Sequence, residues 1–400
     1  MTLKMKKILI GLAIGLVACA NADPAQQLIC RLTNISNAQQ IATKYQITLS
    51  DTAYGPFALY TVSGSVNSAT VQAQLQADPM VVWAEDDQSL STPEAQKGST
   101  IAAIVDRNAL YAENKGILNQ IHWSSALANE PGRGVRIAIL DTGLSKNTGS
   151  LWKKVADAVD LVEPGMPWDM PHNTDSNNNG IVDEATGHGT MVAGIIDQVA
   201  PLASFVIVRV ADSDGNSTAW RIIKGLTRAV VAGAEVANIS LGSMQRIPAL
   251  TDVLDWTEAH NLVICAPVGN DDIQTSRFPA QISKVISVAG VDPNDVKASF
   301  SNWWGGTLSC APATGIKSFF WNGSMAVWSG TSFASPFVAA VIADSLRKTG
   351  SVPTQQIRNC VQADGDSVDS LNRSFAKSLG MRLDMIKLEI AIITSNQKSP

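Results

Sequence analysis

Five apolar segments, separated by helix-like stretches, constrain the fold of this chain more than any other feature. They follow one another from residue 135 onward: VRIAIL (135–140), SFVIVRV (204–210), EVANIS (235–240), LVICA (262–266) and VISVAG (285–290). Strands that alternate with helices are typical of a parallel sheet covered by helices on both faces. In such sheets the functional groups lie at the carboxyl ends of the strands. The sequence therefore predicts an α/β fold with a site at those ends.

Three polar residues stand where that edge of the sheet is expected. Asp141 ends the first apolar segment, and His188 lies between two glycines at the start of a helix-like run. Ser332 belongs to SGTSFASPFVAAVIADSLRK (329–348), a loop that leads into a long apolar helix, with Pro336 expected in its first turn. Each has a purely structural explanation when taken alone: a turn aspartate, a buried histidine and a helix-capping serine.

Together the three side chains form a chemically complete set. A serine hydroxyl is a poor nucleophile until an imidazole accepts its proton, and the imidazole needs a carboxylate to fix its tautomer and stabilise its charged form. Asp141, His188 and Ser332 supply these parts. Their order along the chain is that of subtilisin and differs from the orders in chymotrypsin and the α/β-hydrolases.

Around these residues the chain resembles the subtilisin-like serine proteases, or subtilases. The matching strings are GVRIAILDTG (134–143), GHGTMVAG (187–194), GLTRAVVAGAEVANISLG (225–242), GND (269–271), ASFSN (298–302) and SGTSFASP (329–336). The resemblance implies a parallel sheet flanked by helices and an endopeptidase that works through an acyl-enzyme. It also implies that Asp141 orients the base, His188 is the base and Ser332 is the nucleophile.

The same resemblance assigns residues around the triad. Asn270 matches the asparagine whose amide completes the oxyanion hole with the Ser332 backbone N–H. The substrate-binding positions it implies are Ser240, Leu241, Gly242, Pro267 and Val268. The last two replace small residues of the family pattern beside the pocket for the P1 side chain, which belongs to the residue on the acyl side of the cleaved bond. Their added volume predicts a narrow pocket that prefers small or medium P1 side chains over Phe, Tyr or Lys.

The first residues are typical of an export signal. Three lysines precede the apolar run ILIGLAIGLVA (8–18), which is too short to span a bilayer, and Ala20-Asn21-Ala22 offers a small-residue cleavage site. The stretch LVAC also resembles a bacterial lipobox that ends in Cys19. We interpret 1–22 as a signal peptide, or 1–18 as a lipoprotein signal with a lipid anchor on Cys19. Both interpretations place the protein outside the cytoplasm, extracellular or periplasmic, and the second tethers the precursor to a membrane.

Residues 23–92 are predicted to form a small α+β unit of ferredoxin-like type. Strand LICRL, helix AQQIATKY, strand FALYTV, helix SATVQAQLQA and strand VVWAE follow one another in a split βαβ manner. Its position before a subtilase-like domain implies an inhibitory prodomain that is cleaved off within about residues 88–118. We assign 93–117 to a linker with the processing site and 118–397 to the catalytic domain.

The segment DSNNNGIVDE (175–184) resembles a calcium-binding loop. Its ligand candidates stand at positions 1, 3, 5 and 9 of such a loop: Asp175, Asn177, Asn179 and Asp183. Gly180 falls at the turn position, whereas position 12 is Thr186 rather than Glu. A surface loop that is rich in Asn and Gly and binds no ion would have the same residues. The sequence leaves both interpretations open, and the expected chemistry needs no cofactor.

Composition excludes other classes of function. The formal net charge is −5 and the isoelectric point is near 5.4, without a basic cluster beyond the N-terminus, so no nucleic-acid partner is expected. The five cysteines lack the spacing of a zinc site, and Cys265 lies in an apolar strand where a buried thiol is expected. Export permits disulfides, but the sequence does not determine a pairing.

The sequence therefore predicts a secreted serine endopeptidase that is made as a zymogen, processes itself and acts on proteins or peptides. Two other functions on the same fold stay open. One is a catalytically inactive domain that binds ligands at the cell surface. The other is a transpeptidase in which amines resolve the acyl-enzyme.

Overall fold

The computed structural model of the chain describes residues 26–92, 100–104, 107–123 and 130–397, with the side chains of 100–104 and 107 left out. The predicted signal sequence and Cys19 lie outside these residues. Among the residues described, no helix is both long enough and apolar enough to cross a membrane.

The N-terminal unit is a four-stranded antiparallel sheet with two helices. Its elements are β1 (Gln26–Leu32), α1 (Ala38–Tyr45), β2 (Thr48–Thr52), β3 (Phe57–Val62), α2 (Ser68–Gln76) and β4 (Val81–Asp86). The strand order β2-β3-β1-β4 is that of the ferredoxin-like arrangement. The sequence analysis missed β2, because its residues TLSDT are polar and no position of this edge strand is fully buried.

The rest of the chain contains the larger unit and the segment that leads into it. In chain order its elements are β5 (Ser89–Ser91), β6 (Thr100–Ile104), α3 (Arg107–Glu113), α4 (Lys115–Gln120), β7 (Arg136–Asp141), α5 (Gly149–Trp152), β8 (Val155–Asp160), α6 (His188–Val199), β9 (Ser204–Arg209), β10 (Asn216–Thr218), α7 (Ala219–Val231), β11 (Val236–Ile239), α8 (Pro248–Ala259), β12 (Val263–Pro267), β13 (Ile286–Val291), β14 (Ser309–Pro312), β15 (Ile316–Phe319), β16 (Ser324–Trp328), α9 (Thr331–Thr349), α10 (Thr354–Ala363), β17 (Met381–Arg382) and α11 (Met385–Gln397).

Eight of these strands form one parallel sheet in the order β17-β14-β13-β12-β11-β7-β9-β8. The five apolar segments of the sequence are its strands β7, β9, β11, β12 and β13, and nearly all their residues are buried. Helices α6, α9 and α11 pack on one face of the sheet, and α7 and α8 pack on the other. The predicted parallel α/β fold is confirmed.

The buried helix α9 carries a proline in its second turn. The helix begins at Thr331, so Pro336 lies one turn further in than the sequence predicted. Proline has no N–H to donate to the carbonyl four residues back, which here belongs to Ser332. The hydroxyl of Ser240 donates to that carbonyl oxygen instead, at 3.1 Å. A hydrogen bond from a neighbouring strand end thereby replaces the one that the helix lacks.

The predicted linker 93–117 is only partly a linker, because β6, α3 and the start of α4 lie within it. On its N-terminal side, β5 pairs antiparallel with β10. On its C-terminal side, β6 pairs antiparallel with β16 and completes a three-stranded sheet in the order β15-β16-β6. The segment that joins the two units is thus attached to the larger unit at both ends.

Candidate active site

The carboxyl end of β7 and the first residue of α6 bring Asp141 and His188 into contact. Nδ1 of His188 lies 2.7 Å from Oδ1 of Asp141, and both side chains are buried. A carboxylate only accepts hydrogen bonds, so Nδ1 carries the hydrogen and the lone pair of the neutral ring is on Nε2. The backbone N–H of Thr142 donates to the same carboxylate oxygen at 2.8 Å. These contacts fix both the tautomer and the orientation of the imidazole.

The two glycines beside His188 are required by the space around the ring. Gly187 has a φ of +95°, and a Cβ atom there would lie 2.3 Å from the ring of Phe320. A Cβ atom on Gly189 would lie 2.4 Å from the carbonyl oxygen of Gly143. A larger residue at position 189 would push α6 away from the end of β7, and one at position 187 would displace the ring of Phe320.

A second buried carboxylate holds the start of α6. Asp169 accepts the backbone N–H groups of Gly187 and Thr190 at 2.8 and 3.0 Å, and the Thr190 hydroxyl at 2.5 Å. Burial raises the pKa of this carboxyl group, although the three hydrogen bonds act in the opposite direction. A carboxylate at a helix N-terminus satisfies amide groups that have no acceptor within the helix. The sequence analysis missed Asp169, because the irregular stretch around it has no periodicity to mark it.

Ser332 is the second residue of α9, and its neighbour Phe333 packs on the imidazole. The ring centroids of Phe333 and His188 are 5.1 Å apart, and that of Trp328 at the end of β16 lies 5.9 Å from His188. The two aromatic rings also stack on each other at 5.6 Å. They exclude water from one side of His188, which strengthens its hydrogen bond to the carboxylate.

A chain of buried polar groups reaches Ser332 from below. The Ser335 hydroxyl donates to Asn238 Oδ1 at 2.7 Å, and Asn238 Nδ2 donates to Ser240 Oγ at 2.8 Å. Ser332 Oγ in turn lies 3.4 Å from the carbonyl oxygen of Ser240. These contacts, with the bond from Ser240 to the Ser332 carbonyl, hold the first turn of α9. Asn238 was not predicted, although a polar side chain inside the apolar strand EVANIS is a signal that would have found it.

Asn270 lies beside the same turn. Its Oδ1 accepts the backbone N–H of Thr331 at 2.9 Å and the Thr331 hydroxyl at 2.8 Å. These two donors fix the amide so that its NH2 group is on the side away from Thr331. The N–H groups in the first turn of a helix have no acceptor within the helix. The amide of Asn270 and the first turn of α9 therefore provide N–H donors in the same place.

A comparison with family models decides the family. The model described as the subtilase family matches residues 132–374, which is more than half of the chain. The chain belongs to the subtilase family. This subtilase is a serine-type endopeptidase.

Individual relatives agree with that assignment. Thermitase of Thermoactinomyces vulgaris is 33% identical over 256 residues, which cover 62% of this chain and 86% of thermitase. Subtilisin BL of Lederbergia lenta is 32% identical over 250 residues, or 60% of this chain and 87% of that protein. An alkaline protease of Shouchella clausii is 29% identical over 307 residues, or 74% and 72% of the two chains.

A solved structure supports the fold. Fervidolysin from Fervidobacterium pennivorans, a keratinolytic enzyme related to subtilisin, is similar with a TM-score of 0.71 and 18% sequence identity. The match covers 94% of this subtilase and 62% of the fervidolysin chain.

The predicted substrate-binding residues of this subtilase do not all face the cleft. Gly242 exchanges two backbone hydrogen bonds with Ser91 of β5, at 2.9 and 3.1 Å, and Ser240 adjoins Ser332 as described above. Leu241 is buried in the core under α7 and α8. Pro267 ends β12 and is buried opposite Val288 of β13.

The position of Val268 contradicts its predicted role in narrowing the P1 pocket. Its side chain is fully buried in a separate apolar cluster with residues of β13, β14 and the segment before β17: Ala289, Val291, Cys310, Val368 and Leu379. It therefore adds no volume to the cleft. The residue that lies between the segments holding Gly242 and Gly269 is Arg277, which the sequence analysis missed.

The candidate calcium loop brings together five acidic or amide side chains from two segments of the chain. Glu184 Oε1 accepts the side-chain amides of Asn177 and Asn179 at 2.6 and 2.9 Å, and Asp175 accepts the backbone N–H groups of residues 179 and 180 at 3.0 Å. Asp214, in the turn before β10, accepts the backbone N–H of Asn177 at 3.1 Å. Burial raises the pKa of Glu184, and the negative charges of Asp214 and Asp175 act in the same direction.

Asp183 does not belong to this group, contrary to the sequence prediction. Its carboxylate accepts three backbone N–H groups from residues 172–174 at 2.7 to 3.2 Å, and the Ser213 hydroxyl at 2.6 Å. Its neighbour Glu184 takes the place in the cluster. Glu184 Oε2 and Asp214 Oδ1 are buried and accept no hydrogen bond from the described residues. Carboxylate oxygens of this kind are the ligands that Ca²⁺ prefers, although the carboxylates of Asp175, Glu184 and Asp214 do not all lie within 4.8 Å of one another.

The four described cysteines, Cys30, Cys265, Cys310 and Cys360, are free and buried. Burial raises the pKa of the Cys265 thiol, which keeps it protonated. The expectation that Cys265 is a buried thiol is confirmed.

Proposed function

We propose that Asp141, His188 and Ser332 form the catalytic triad of this subtilase, with Asn270 as part of the oxyanion hole. His188 Nε2 takes the proton of Ser332 Oγ as the oxygen attacks the substrate carbonyl carbon, and Asp141 stabilises the imidazolium. The Asn270 amide and the Ser332 backbone N–H donate to the oxygen that becomes negative. The imidazolium then protonates the leaving amine, and water repeats the sequence on the acyl-enzyme.

One observation carries this proposal. The buried contact of 2.7 Å between His188 Nδ1 and Asp141 Oδ1 puts the lone pair of the neutral ring on Nε2, and Phe333 in the first turn of α9 packs on that ring. Elsewhere in the described chain His122 and His172 also contact carboxylates, but their side chains are 48% and 26% exposed. His188 alone among these three is enclosed beside a serine at a helix start.

A fluorophosphonate probe tests the proposal. Wild-type protein should be labelled on Ser332, and Ser332→Ala should not be labelled. Ser345→Ala is the matched control, because this serine is buried in the same helix and its hydroxyl donates within that helix to the carbonyl of Val341, at 2.9 Å. Wild-type protein that takes up no label would favour the inactive binding domain. Products joined to added amines, in place of hydrolysis products, would favour the transpeptidase.

We also propose that the N-terminal unit is an inhibitory prodomain. β5 pairs with β10, and its last residue, Ser91, pairs with Gly242, so the end of the N-terminal unit runs along the cleft toward Ser332 as an extended peptide substrate would. The N–H of Thr92 continues the ladder by donating to Gly215 at 3.0 Å. A peptide in this position excludes other substrates.

The pairing of β6 narrows the proposed processing site. β16, its partner, ends two residues before α9, and β6 follows the cleft segment after only seven residues, 93–99. The chain is therefore attached on both sides of the nucleophile. We place self-cleavage in the peptide between Thr92 and Thr100, within the range 88–118 that the sequence predicted.

A structural calcium ion is proposed for the cluster of Asp175, Asn177, Glu184 and Asp214. It would neutralise two buried carboxylate oxygens, Glu184 Oε2 and Asp214 Oδ1, which accept no hydrogen bond from the described residues. Binding to the native state alone stabilises it by mass action, by about 2.7 kcal/mol at a free concentration 100 times Kd. Chelation should lower the melting temperature, and added Ca²⁺ should restore it.

The variant Glu184→Gln with Asp214→Asn should abolish this calcium response. Asp255→Asn is the control, since it removes an exposed acid that is ion-paired to Lys284, far along the chain from the loop. A wild-type melting temperature that ignores both chelator and Ca²⁺ would leave only the surface-loop interpretation.

Export is proposed from the sequence of residues 1–22, with ordinary secretion and lipid attachment at Cys19 as the two routes. If Cys19 carries the lipid, the anchor is on the N-terminal unit, so self-cleavage would release the enzyme. Mass spectrometry of Ser332→Ala from fractionated cells separates the routes. A soluble chain that begins at Asp23 supports secretion, whereas a membrane-bound chain with diacylated Cys19 supports the anchor.

A further inference from the structure

The pairing of β5 gives the register in which an extended peptide lies in the cleft. Ser91 is opposite Gly242 in an antiparallel bridge. In such a pair, the peptide residue two positions later lies opposite the residue two positions earlier on the partner, which is Ser240. The Ser240 carbonyl oxygen is 3.4 Å from Ser332 Oγ. A peptide residue opposite Ser240 is therefore next to the nucleophile and supplies the P1 side chain.

Arg277 fills the space between the two backbone segments that wall this position. Its backbone N–H donates to the carbonyl of Val268 at 2.9 Å, and the next residue, Phe278, forms a bridge with Ser243. A Cβ atom on Gly242 would lie 2.9 Å from Arg277 Cβ, and one on Gly269 would lie 2.9 Å from its Cγ and Cδ. The aliphatic part of Arg277 thus lies directly against both glycines, where a long P1 side chain would have to go.

The guanidinium group of Arg277 is held on one edge. Nε donates to Asp271 Oδ2 at 2.8 Å and Nη2 donates to Oδ1 at 2.5 Å. Asn302 supports the carboxylate, since its Nδ2 donates to Oδ2 at 3.0 Å and its Oδ1 accepts the Asp271 N–H at 2.9 Å. This two-point contact leaves Nη1 without a hydrogen bond to any described residue. The side chains of Arg277 and Asp271 are 16% and 28% exposed, so the pair is partly accessible to solvent.

We propose that the pair of Arg277 and Asp271 forms the floor of the P1 subsite and selects short P1 side chains that carry a hydrogen-bond acceptor, aspartate above all. The inference rests on the proposed triad, which fixes where P1 lies. The arginine stem limits the length of the side chain, and Nη1 offers two N–H groups to an acceptor. Charge-assisted hydrogen bonds are the stronger kind, so a carboxylate exceeds a hydroxyl. A basic P1 side chain has only N–H donors and gives Nη1 no acceptor, and an aromatic one is too large.

Peptides that differ only at P1 test the subsite. Each carries the sequence Ser-Leu-Ser-Thr of residues 89–92 before P1, followed by Asp, Ser, Phe or Lys. For wild type, kcat/KM for Asp and Ser should exceed that for Phe and Lys by about tenfold or more, the range that pocket size alone gives. Arg277→Gly should raise the Phe-to-Asp ratio by at least about tenfold, since it opens the floor and removes the cation.

Two further variants separate charge from volume. Asp271→Asn frees the guanidinium from its own carboxylate, so the Asp-to-Ser ratio should rise while Phe stays poor. Asp272→Asn is the matched control: it removes the same charge one residue later, from an acid that pairs with Lys297 at 2.7 Å, and should leave the P1 order unchanged. If Arg277→Gly does not fold, the Asp271→Asn ratio decides.

The outcomes distinguish this subsite from the proposed function. Failure of the fluorophosphonate probe to label wild-type Ser332 would overturn the triad and the subsite together. A labelled enzyme that cleaves after Phe as well as after Asp, or whose P1 ratios do not respond to Arg277→Gly or Asp271→Asn, would overturn the subsite alone.

Discussion

The N-terminal unit contacts the larger unit through two regions of different chemistry. One face of its sheet packs on α7 and α8 through apolar side chains such as Ile29, Phe57 and Leu59. Strand β5, which follows β4 in the segment that leads out of the unit, instead contacts the cleft mainly through backbone hydrogen bonds to β10 and Gly242. The first region depends on side chains that only this unit carries, whereas the second depends on groups that every peptide has.

Charged groups surround the helix-packed face. Glu85 accepts the backbone N–H of Ala249 at 2.9 Å at the start of α8, and Asp87 accepts that of Trp220 at 2.8 Å at the start of α7. Arg31 pairs with Asp252 at 2.8 Å. The comparison shows that two different parts of the chain position the unit and present the peptide. Side-chain contacts with α7 and α8 position the N-terminal unit, and backbone hydrogen bonds of β5 present a peptide to the site.

The largest effect is expected from a variant that removes the nucleophile and leaves both contact regions unchanged. Ser332→Ala should abolish turnover and self-cleavage, a loss of about 10⁶ that we take over from subtilisin rather than derive. Mass spectrometry of the purified variant should find the uncut chain, which still contains both contact regions. A pure Ser332→Ala preparation that is still cut between residues 92 and 100 would contradict self-cleavage by Ser332.

Asn270→Ala should slow the chemistry without altering either contact region. Loss of one oxyanion donor costs about 10² to 10³ in kcat, a value also measured on subtilisin. Processing should therefore be slow but complete, with the same new N-terminus as in wild type. Quantifying cut and uncut chain over time checks this, and an unchanged processing rate would remove Asn270 from the mechanism.

Ser91→Pro tests the backbone contact alone. Proline deletes the N–H that donates to Gly242 at 3.1 Å, while Ser91→Ala keeps it and removes only the hydroxyl. Leaving a buried carbonyl unsatisfied costs about 1–3 kcal/mol, so processing should slow about tenfold or more for the proline variant and little for the alanine variant. Equal rates for the two variants would show that the ladder at Ser91 does not align the peptide.

The smallest effect is expected from the titration of Glu85, which tests the contact between the N-terminal unit and α8 through its pH dependence. Burial against α8 raises the pKa of Glu85 from 4.5 to about 7, so the docked state holds the proton more tightly than the free unit does. The contact is strongest below about pH 4.5 and weakens as pH rises through about 7. After cleavage, the fraction of N-terminal fragment that co-elutes with the enzyme should fall from pH 5 to pH 8. Glu85→Gln should flatten that dependence, and a flat wild-type profile would contradict it.

The sequence predicted the elements whose residues have a regular pattern. Apolar runs of the length of a strand correspond to the buried strands β7, β9, β11, β12 and β13. Such runs were enough to predict the fold class of both units. The sequence could not predict β2, whose edge position leaves polar residues half-buried, nor the direction of the Val268 side chain, because this residue follows the end of β12, where no strand pattern determines it. Arg277 and Asp169 act through contacts made across loops, which no local spacing encodes.

Strand β6 has a consequence for the kinetics of the proposed maturation. Because β5 and β6 hold both flanks of residues 93–99 on the body that carries Ser332, the chain presents its own peptide at a fixed effective concentration. The cut should therefore be first order, with the same half-life at nanomolar and micromolar protein. Release of the N-terminal unit afterwards is a dissociation, which dilution favours. The two steps of maturation thus respond differently to dilution. Added N-terminal fragment should delay only the second step, because it rebinds to the cut enzyme.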